Sequence, residues 1–303
     1  MEGTVGRIRA LKEKRNAVIL AHNYVAGDVQ DIADHVGDSL GLSVAASETD
    51  ADVIVFCGVT FMGETAKILN PGKTVLMPEP EARCPMADMC SAESIRAAKL
   101  EHPGAAVIGY VNTNAESKTE MDVCCTSSNA VGVASATEAG KIIFLPDANL
   151  GRYVSENVPD KEIVLWEGYC PVHQSISPDD VSRLAASNPG AVVMAHPECT
   201  AGVLALADYI GSTEGMVGFA KASDAKTFVV ATEVGMGHRL ELECPGKDFV
   251  FPPNSVCEAM KITTLESVEK CLEGMTGEIR LPKDVMDRAR VPLERMLGTP
   301  NPV

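Results

Sequence analysis

The apolar positions of this chain fall into short unbroken runs, not into alternating or heptad patterns. AVILAHNY (17–24), DVIVFCG (52–58) and TVLMPE (74–79) come first. AVIGYVN (106–112), KIIFLPD (141–147) and EIVLWEG (162–168) follow, and AVVMAHPE (191–198), KTFVVATE (226–233) and DFVFPPN (248–254) close the series. Continuous β-branched runs of this length suit strands buried on both faces, as in parallel sheets covered by helices. The segments between the runs read as helices. The pattern therefore predicts α/β layering with right-handed crossovers.

The runs recur in threes. Residues 84–112 (CPMADMCSAESIRAAKLEHPGAAVIGYVN) and 170–198 (CPVHQSISPDDVSRLAASNPGAVVMAHPE) share one plan: Cys-Pro, a Ser-started acidic helix, a His/Asn-Pro-Gly turn, then a strand. Ser177 is a natural N-cap, with Pro178 at the first helical position. A third copy starts at Cys257, where Thr263 with Glu266 three residues on suggests a capping box. The intervals between Cys84, Cys170 and Cys257 are 86 and 87 residues. Each copy also has a loop of small polar residues before a helix: GDS (37–39), TSS (126–128) and GST (211–213).

The expected architecture is three pseudo-threefold-related, three-layer α/β/α domains with parallel sheets. Their expected bounds are 1–84, 85–170 and 171–257. Residues 258–303 should complete the first domain with a helix, a short strand near 277–281 and a last helix over 282–297. Ligands bind beyond the carboxyl ends of parallel strands, so the active site is expected at the central junction.

Three cysteines follow the third strand of each copy and would converge there. Three thiolates from three domains suit a 4Fe–4S cluster with one iron lacking a protein ligand, because four cysteines usually hold a cluster that only carries electrons. An open iron can act as a Lewis acid. Structural zinc is the alternative, but it favours four closely spaced ligands. The other seven of the ten cysteines read as small buried hydrophobes; Cys199, directly after His-Pro-Glu, could reach the site.

The first strand of each copy ends in a polar pair: His22 and Tyr24, Tyr110 and Asn112, His196 and Glu198. Residues two apart on a strand face one side, so each pair can enter a shared cavity. A single strand-end His is ordinarily a satisfied core residue; three pairs at matching positions favour a site. Asp38-Ser39, Thr126-Ser127 and Ser212-Thr213 offer hydroxyls and helix-start N–H groups that bind carboxylates or phosphates, or simply cap helices.

Composition narrows the classes. The net charge of −16, from 26 Lys+Arg against 42 Asp+Glu, disfavours nucleic-acid partners. No apolar run reaches membrane-spanning length and no basic-then-apolar leader is present, which leads to the expectation of a cytoplasmic protein. Ten cysteines in a reducing compartment favour metal binding or burial over disulfides. Gly72-Lys73-Thr74 is not a P-loop, because the required upstream Gly is Lys67.

These residues reach a known family. The ordered segments ILAHNYVAGDVQDIADHVGDSL, GETAKILNPGKTVLMPEPEARCPMA, YVNTNAESKTEMDVCCTSSNAV, LPDANLG, CPVHQ, HPEC, YIGST, TEVGM and SVCEAMK resemble the quinolinate synthases over essentially the full length. The resemblance implies a 4Fe–4S cofactor on Cys84, Cys170 and Cys257. It implies acid/base or catalytic roles for Tyr24, Glu198, His22, His173 and His196. The implied substrate contacts are His22, Asp38, Ser39, Tyr110, Asn112, Ser127, His196, Glu198, Ser212 and Thr213. The implied reaction joins iminoaspartate to dihydroxyacetone phosphate, giving quinolinate, phosphate and two waters for NAD synthesis. It also suggests a functional link to an aspartate oxidase or dehydrogenase that makes iminoaspartate. A C-terminal CxxCxxC found in some relatives is not expected here. The alternatives are an iron–sulfur hydro-lyase acting on a small hydroxy acid, an iron–sulfur redox sensor, and a metal-free sugar-phosphate binding protein.

Overall fold

Every apolar run contains a strand, and each copy gains one more that the pattern did not reveal. In this computed structural model, which describes residues 3–298, the first copy holds β1 (Ala17–His22), β2 (His35–Gly37), β3 (Val53–Cys57) and β4 (Thr74–Leu76). The second holds β5 (Ala106–Tyr110), β6 (Val123–Cys125), β7 (Lys141–Leu145) and β8 (Glu162–Leu165). The third holds β9 (Val192–Ala195), β10 (Tyr209–Ile210), β11 (Thr227–Ala231) and β12 (Asp248–Val250). β2, β6 and β10 are too short for any periodicity to register. The expected ends at 1–2 and 299–303 lie outside the described residues.

All three sheets are parallel and share one order: β2-β1-β3-β4, β6-β5-β7-β8 and β10-β9-β11-β12. Helices cover both faces. In the third sheet Met194, Phe228 and Val230 pack to one side, and Val193, Ala195, Val229 and Ala231 to the other. Burying both faces is what makes the strands read as continuous apolar runs.

The threefold relation extends to individual hydrogen bonds. An aspartate just before each edge strand accepts the backbone N–H of the central strand at 2.8 Å: Asp34 from Ile19, Asp122 from Val107, and Asp208 from Val193. A second set ties the cysteine loops down. The N–H of Thr60 reaches the carbonyl of Ala82 (2.8 Å), Ala148 that of Gly168 (2.8 Å), and Val234 that of Ser255 (2.8 Å). Each accepting carbonyl lies two residues before Cys84, Cys170 or Cys257.

The helices start where side-chain acceptors satisfy first-turn donors. Asp38, Asp147, Ser177 and Ser212 each cap a helix, and Ser91 forms a capping box with Ser94. The box expected at Thr263 is displaced by one residue. Thr264 caps and Ser267 reciprocates, because Ser at the third helical position serves as well as Glu, while Thr263 is buried.

The segment after Cys257 contacts two copies. Helix Leu265–Gly274 lies against Thr4–Lys14 and β3. Helix Lys283–Leu297 packs on Thr60–Leu69 of the first copy, and equally on Ala115–Lys118 and β6 of the second. The strand expected near 277–281 is reduced to a single antiparallel bridge between Leu76 and Glu278, flanked by Met77 N–H to Gly277 O and Ile279 N–H to Val75 O. None of the described helices is long and apolar enough to cross a membrane.

Gly277 makes that edge contact possible. Its φ is +74°, and a Cβ there would stand 2.0 Å from the Met77 carbonyl oxygen. Gly277→Ala is expected to destabilise the protein by at least about 1–3 kcal/mol; a urea midpoint equal to that of the parent would contradict the assignment.

Candidate active site

The carboxyl ends of the three sheets face one cavity. His22, Tyr24, Asp38 and Ser39 enter it from the first copy, with Cys84 on the loop after β4. Tyr110, Asn112, Ser127 and Cys170 enter from the second, and His173, His196, Glu198, Thr213 and Cys257 from the third. Ser212 is not among the lining residues. Its hydroxyl accepts the N–H of Gly215 as the N-cap of the helix that begins at Thr213. Cys199 is buried behind the site, with its thiol donating to the Ala231 carbonyl.

The polar pairs sit at the strand ends and just beyond them. His22 and Tyr110 are the last residues of β1 and β5, and His196 follows β9. In two copies the chain turns the same way: Nδ1 of His22 accepts the Tyr24 N–H (3.2 Å), and Nδ1 of His196 accepts that of Glu198 (3.3 Å). Donors from behind brace the turns. Lys118, fully buried, donates to the carbonyls of Val111 (2.8 Å) and Thr113 on either side of Asn112. Lys261 donates to the Tyr24 carbonyl, and Asn149 to that of Glu198 (3.1 Å). Asn112 Oδ1 is left buried without a hydrogen-bond partner.

Contacts between copies close the cavity. Ser128 donates to Asp38 (2.7 Å), Asn23 to Thr213 (2.8 Å), and His196 Nε2 lies 3.1 Å from Ser127 Oγ. The rings of His173 and His196 stack with centroids 4.7 Å apart. Glu198 Oε2 stands 2.9 Å from His173 Nδ1 and 3.2 Å from His196 Nδ1. The first contact is out of line for a hydrogen bond, and Glu198 Oε1 has no partner. On the far side of His173, Nε2 is 2.9 Å from Thr232 Oγ1, which is 2.7 Å from the Tyr24 hydroxyl. Hydrogen bonds thus join Tyr24, Thr232 and His173, and His173 stands in close contact with Glu198.

No lysine or arginine lines the cavity, and burial dominates the titration of its groups. Burial, reinforced by His196, lowers His22 to about 3. Burial, reinforced by Glu198, pushes the hydroxyls of Tyr24 and Tyr110 well above their usual range. Burial alone would raise the Glu198 carboxyl too. His173 and His196 against it outweigh that and hold it well below the usual carboxylate range. The site therefore keeps a carboxylate ionised beside phenols that stay protonated.

The three cysteines form a different kind of group. Burial pushes the Cys84 thiol up to about 12 and raises those of Cys170 and Cys257. Cys84 lies close enough to both others for their charges to interact. In a cavity with no lysine or arginine, a metal is the natural partner for such thiols, since it deprotonates what it binds. Donor atoms of Cys170, His173 and Glu198 lie within 4.8 Å of one another. Apolar residues (Val59, Phe61, Met62, Met86, Val172 and Met260) line the cavity beside the cysteines.

Glu233, Thr232 and Asp147 were missed by the reading of the sequence. Glu233 lines the cavity and accepts the Cys257 N–H (3.1 Å). Asp147 accepts that of Cys170 (3.0 Å). Both follow the second long run of their copy, so the strand-end argument applied to KIIFLPD and KTFVVATE would have found them.

The family profile described as quinolinate synthetase A protein matches residues 6–298. Among curated relatives, the quinolinate synthase of Sulfurihydrogenibium sp. (strain YO3AOP1) is 48% identical over 97% of both chains. That of Methanosarcina barkeri is 51% identical over 97% of both. That of Aquifex aeolicus is 48% identical over 96% of this chain and 92% of its own.

The depressed His22 has a stability consequence. The unfolded chain takes up a proton on this residue near the ordinary value of 6.5, and the folded one only near 3. Protons therefore favour unfolding in that window. The His22 contribution is complete above the upper value and shrinks as pH falls towards the lower. His22→Gln is expected to flatten the fall of the urea midpoint between about pH 7 and about pH 5; parallel curves would show that His22 is not buried neutral.

Proposed function

We propose, because this chain belongs to the quinolinate synthetase A family, that it condenses iminoaspartate with dihydroxyacetone phosphate to quinolinate, inorganic phosphate and two waters. The product is the pyridine precursor of NAD, made in the cytoplasm from iminoaspartate supplied by an aspartate oxidase or dehydrogenase. In this reading Cys84, Cys170 and Cys257 hold a 4Fe–4S cluster, one thiolate from each copy. When bound, such a cluster would supply an iron without a protein ligand, which could polarise a substrate hydroxyl so that it leaves as water.

The remaining chemistry falls to the chain's own side chains. The single observation that carries it is the hydrogen-bonded row Tyr24–Thr232–His173 with the Glu198 carboxylate 2.9 Å from His173. Its ends carry opposite protonation states: an ionised carboxylate at Glu198 and a neutral phenol at Tyr24. Glu198 takes protons from carbon or nitrogen, Tyr24 returns them to oxygen, and Thr232 and His173 link the two. Neutral His196 accepts the Glu198 N–H at Nδ1 and, when protonated, donates from the same atom to the carboxylate. The site can thus hold a proton between steps.

Both substrates are anionic, and the lining has no cation of its own. Binding then rests on Ser39, Ser127 and Thr213, on Asn112, His22 and Tyr110, and on helix N-termini such as that of Ser39–Glu48. Asp38, held by Ser128, and Ser212, capping the helix of Thr213, serve by fixing these anchors. The contacts between copies also exclude water, which protects an imine from hydrolysis.

Cys170→Ser is expected to abolish the brown chromophore and the activity of anaerobically purified protein together; full activity in that variant would refute the cluster reading. Glu198→Gln should retain the chromophore and lose about 10²–10⁴-fold in kcat, and a near-parental kcat would remove Glu198 from the acid/base role. Phosphate should appear in step with quinolinate. Dehydration of a hydroxy acid with no phosphate released would point instead to a hydro-lyase.

A further inference from the structure

The backbone bonds from Thr60, Ala148 and Val234 to the cysteine loops put the residues before them in equivalent places. Those residues are Val59, Asp147 and Glu233. Two are carboxylates, both fully buried, and each spends one oxygen on its cysteine. Asp147 Oδ2 accepts the Cys170 N–H at 3.0 Å, while Oδ1 accepts the Leu150 N–H at 2.7 Å. Glu233 Oε1 accepts the Cys257 N–H at 3.1 Å, while Oε2 accepts that of Gly235 at 2.6 Å and Lys261 bridges the pair. Val59 has no acceptor to offer Cys84.

We propose that Asp147 and Glu233 are positioning residues that clamp Cys170 and Cys257 as metal ligands. This rests on the reading that those cysteines hold the cluster. Each carboxyl group joins the end of a sheet strand to the backbone of a ligand, so the loop cannot swing its thiol away without breaking a buried hydrogen bond. A buried acceptor stripped of its donor is costly. Outer contacts of this kind usually govern metal retention. Cys84 is held by its loop alone, so the cluster has two clamped corners and one unclamped protein corner.

The test uses anaerobically reconstituted full-length protein and a ferrous chelator, with iron release followed by loss of cluster absorption. Asp147→Asn and Glu233→Gln keep the side-chain shape but replace one acceptor oxygen with a donor. Each is expected to release iron at least about tenfold faster than the parent. Alkylation with iodoacetamide during release, mapped by mass spectrometry, should rise at Cys170 in Asp147→Asn and at Cys257 in Glu233→Gln. Ser177→Ala, which removes a helix cap away from the cavity, controls for general destabilisation and should release iron at the parental rate. Parental release and alkylation in both variants, even with lowered thermal stability, would overturn the proposal and leave the cluster reading standing. A parent that binds no iron would overturn both. Should one variant fail to fold, the other decides alone.

Discussion

Three equivalent backbone hydrogen bonds govern the layout of this protein: Thr60 to Ala82, Ala148 to Gly168 and Val234 to Ser255. Each folds the loop after an edge strand back over the carboxyl end of its own sheet. The cysteines lie two residues downstream of the bonded carbonyls. Three parallel sheets of one topology turn their carboxyl ends towards a common cavity. The polar strand ends and the cysteines then meet because the same short-range geometry is executed three times.

That convergence creates an electrostatic problem, which the structure solves locally. Three carboxyl groups (Asp38, Glu198 and Glu233), three histidines, two phenols and three thiols line a cavity with no lysine or arginine in its described walls, in a protein that is acidic overall. Desolvation pushes His22, the two tyrosines and the three cysteines towards their neutral forms. Glu198 escapes because two imidazoles lie against it. The lysines that do come near stay behind the lining: Lys118 is spent on main-chain carbonyls, and Lys261 on the Tyr24 carbonyl and the Glu233 carboxylate. They hold the turns of Asn112 and Tyr24 in shape and leave the anion-binding surface to hydroxyls, amides and helix ends.

Much of the fold could be read from the sequence, because a strand buried on both faces must be apolar along its whole length. Internal repetition then supplied what single runs could not, marking the three cysteines and the three strand-end pairs as equivalent. The short edge strands β2, β6 and β10 left no trace, since a strand of two or three residues has no period to detect. The capping box at Thr264 slid from its expected place because Ser267 does the work assigned to Glu266. The final helix, expected with the first copy, also lies on the second, where Arg288 pairs with Glu120 and Arg295 donates to the Asp122 carbonyl.

The sequence by itself determined the layering, the threefold repeat and most of the residues that line the cavity, because these follow from hydrophobic patterning and from position along a strand. Only the tertiary structure decided how those residues pair across copies. It placed Thr232 between Tyr24 and His173, set Glu198 between two imidazoles, and turned Ser212 to capping its helix. It also showed that Asp147 and Glu233 grip the backbone of Cys170 and Cys257. The physical reason is the same in each case: a hydrogen bond between residues far apart in the chain depends on where three separately folded sheets come to rest against one another, and local residue order carries no record of that.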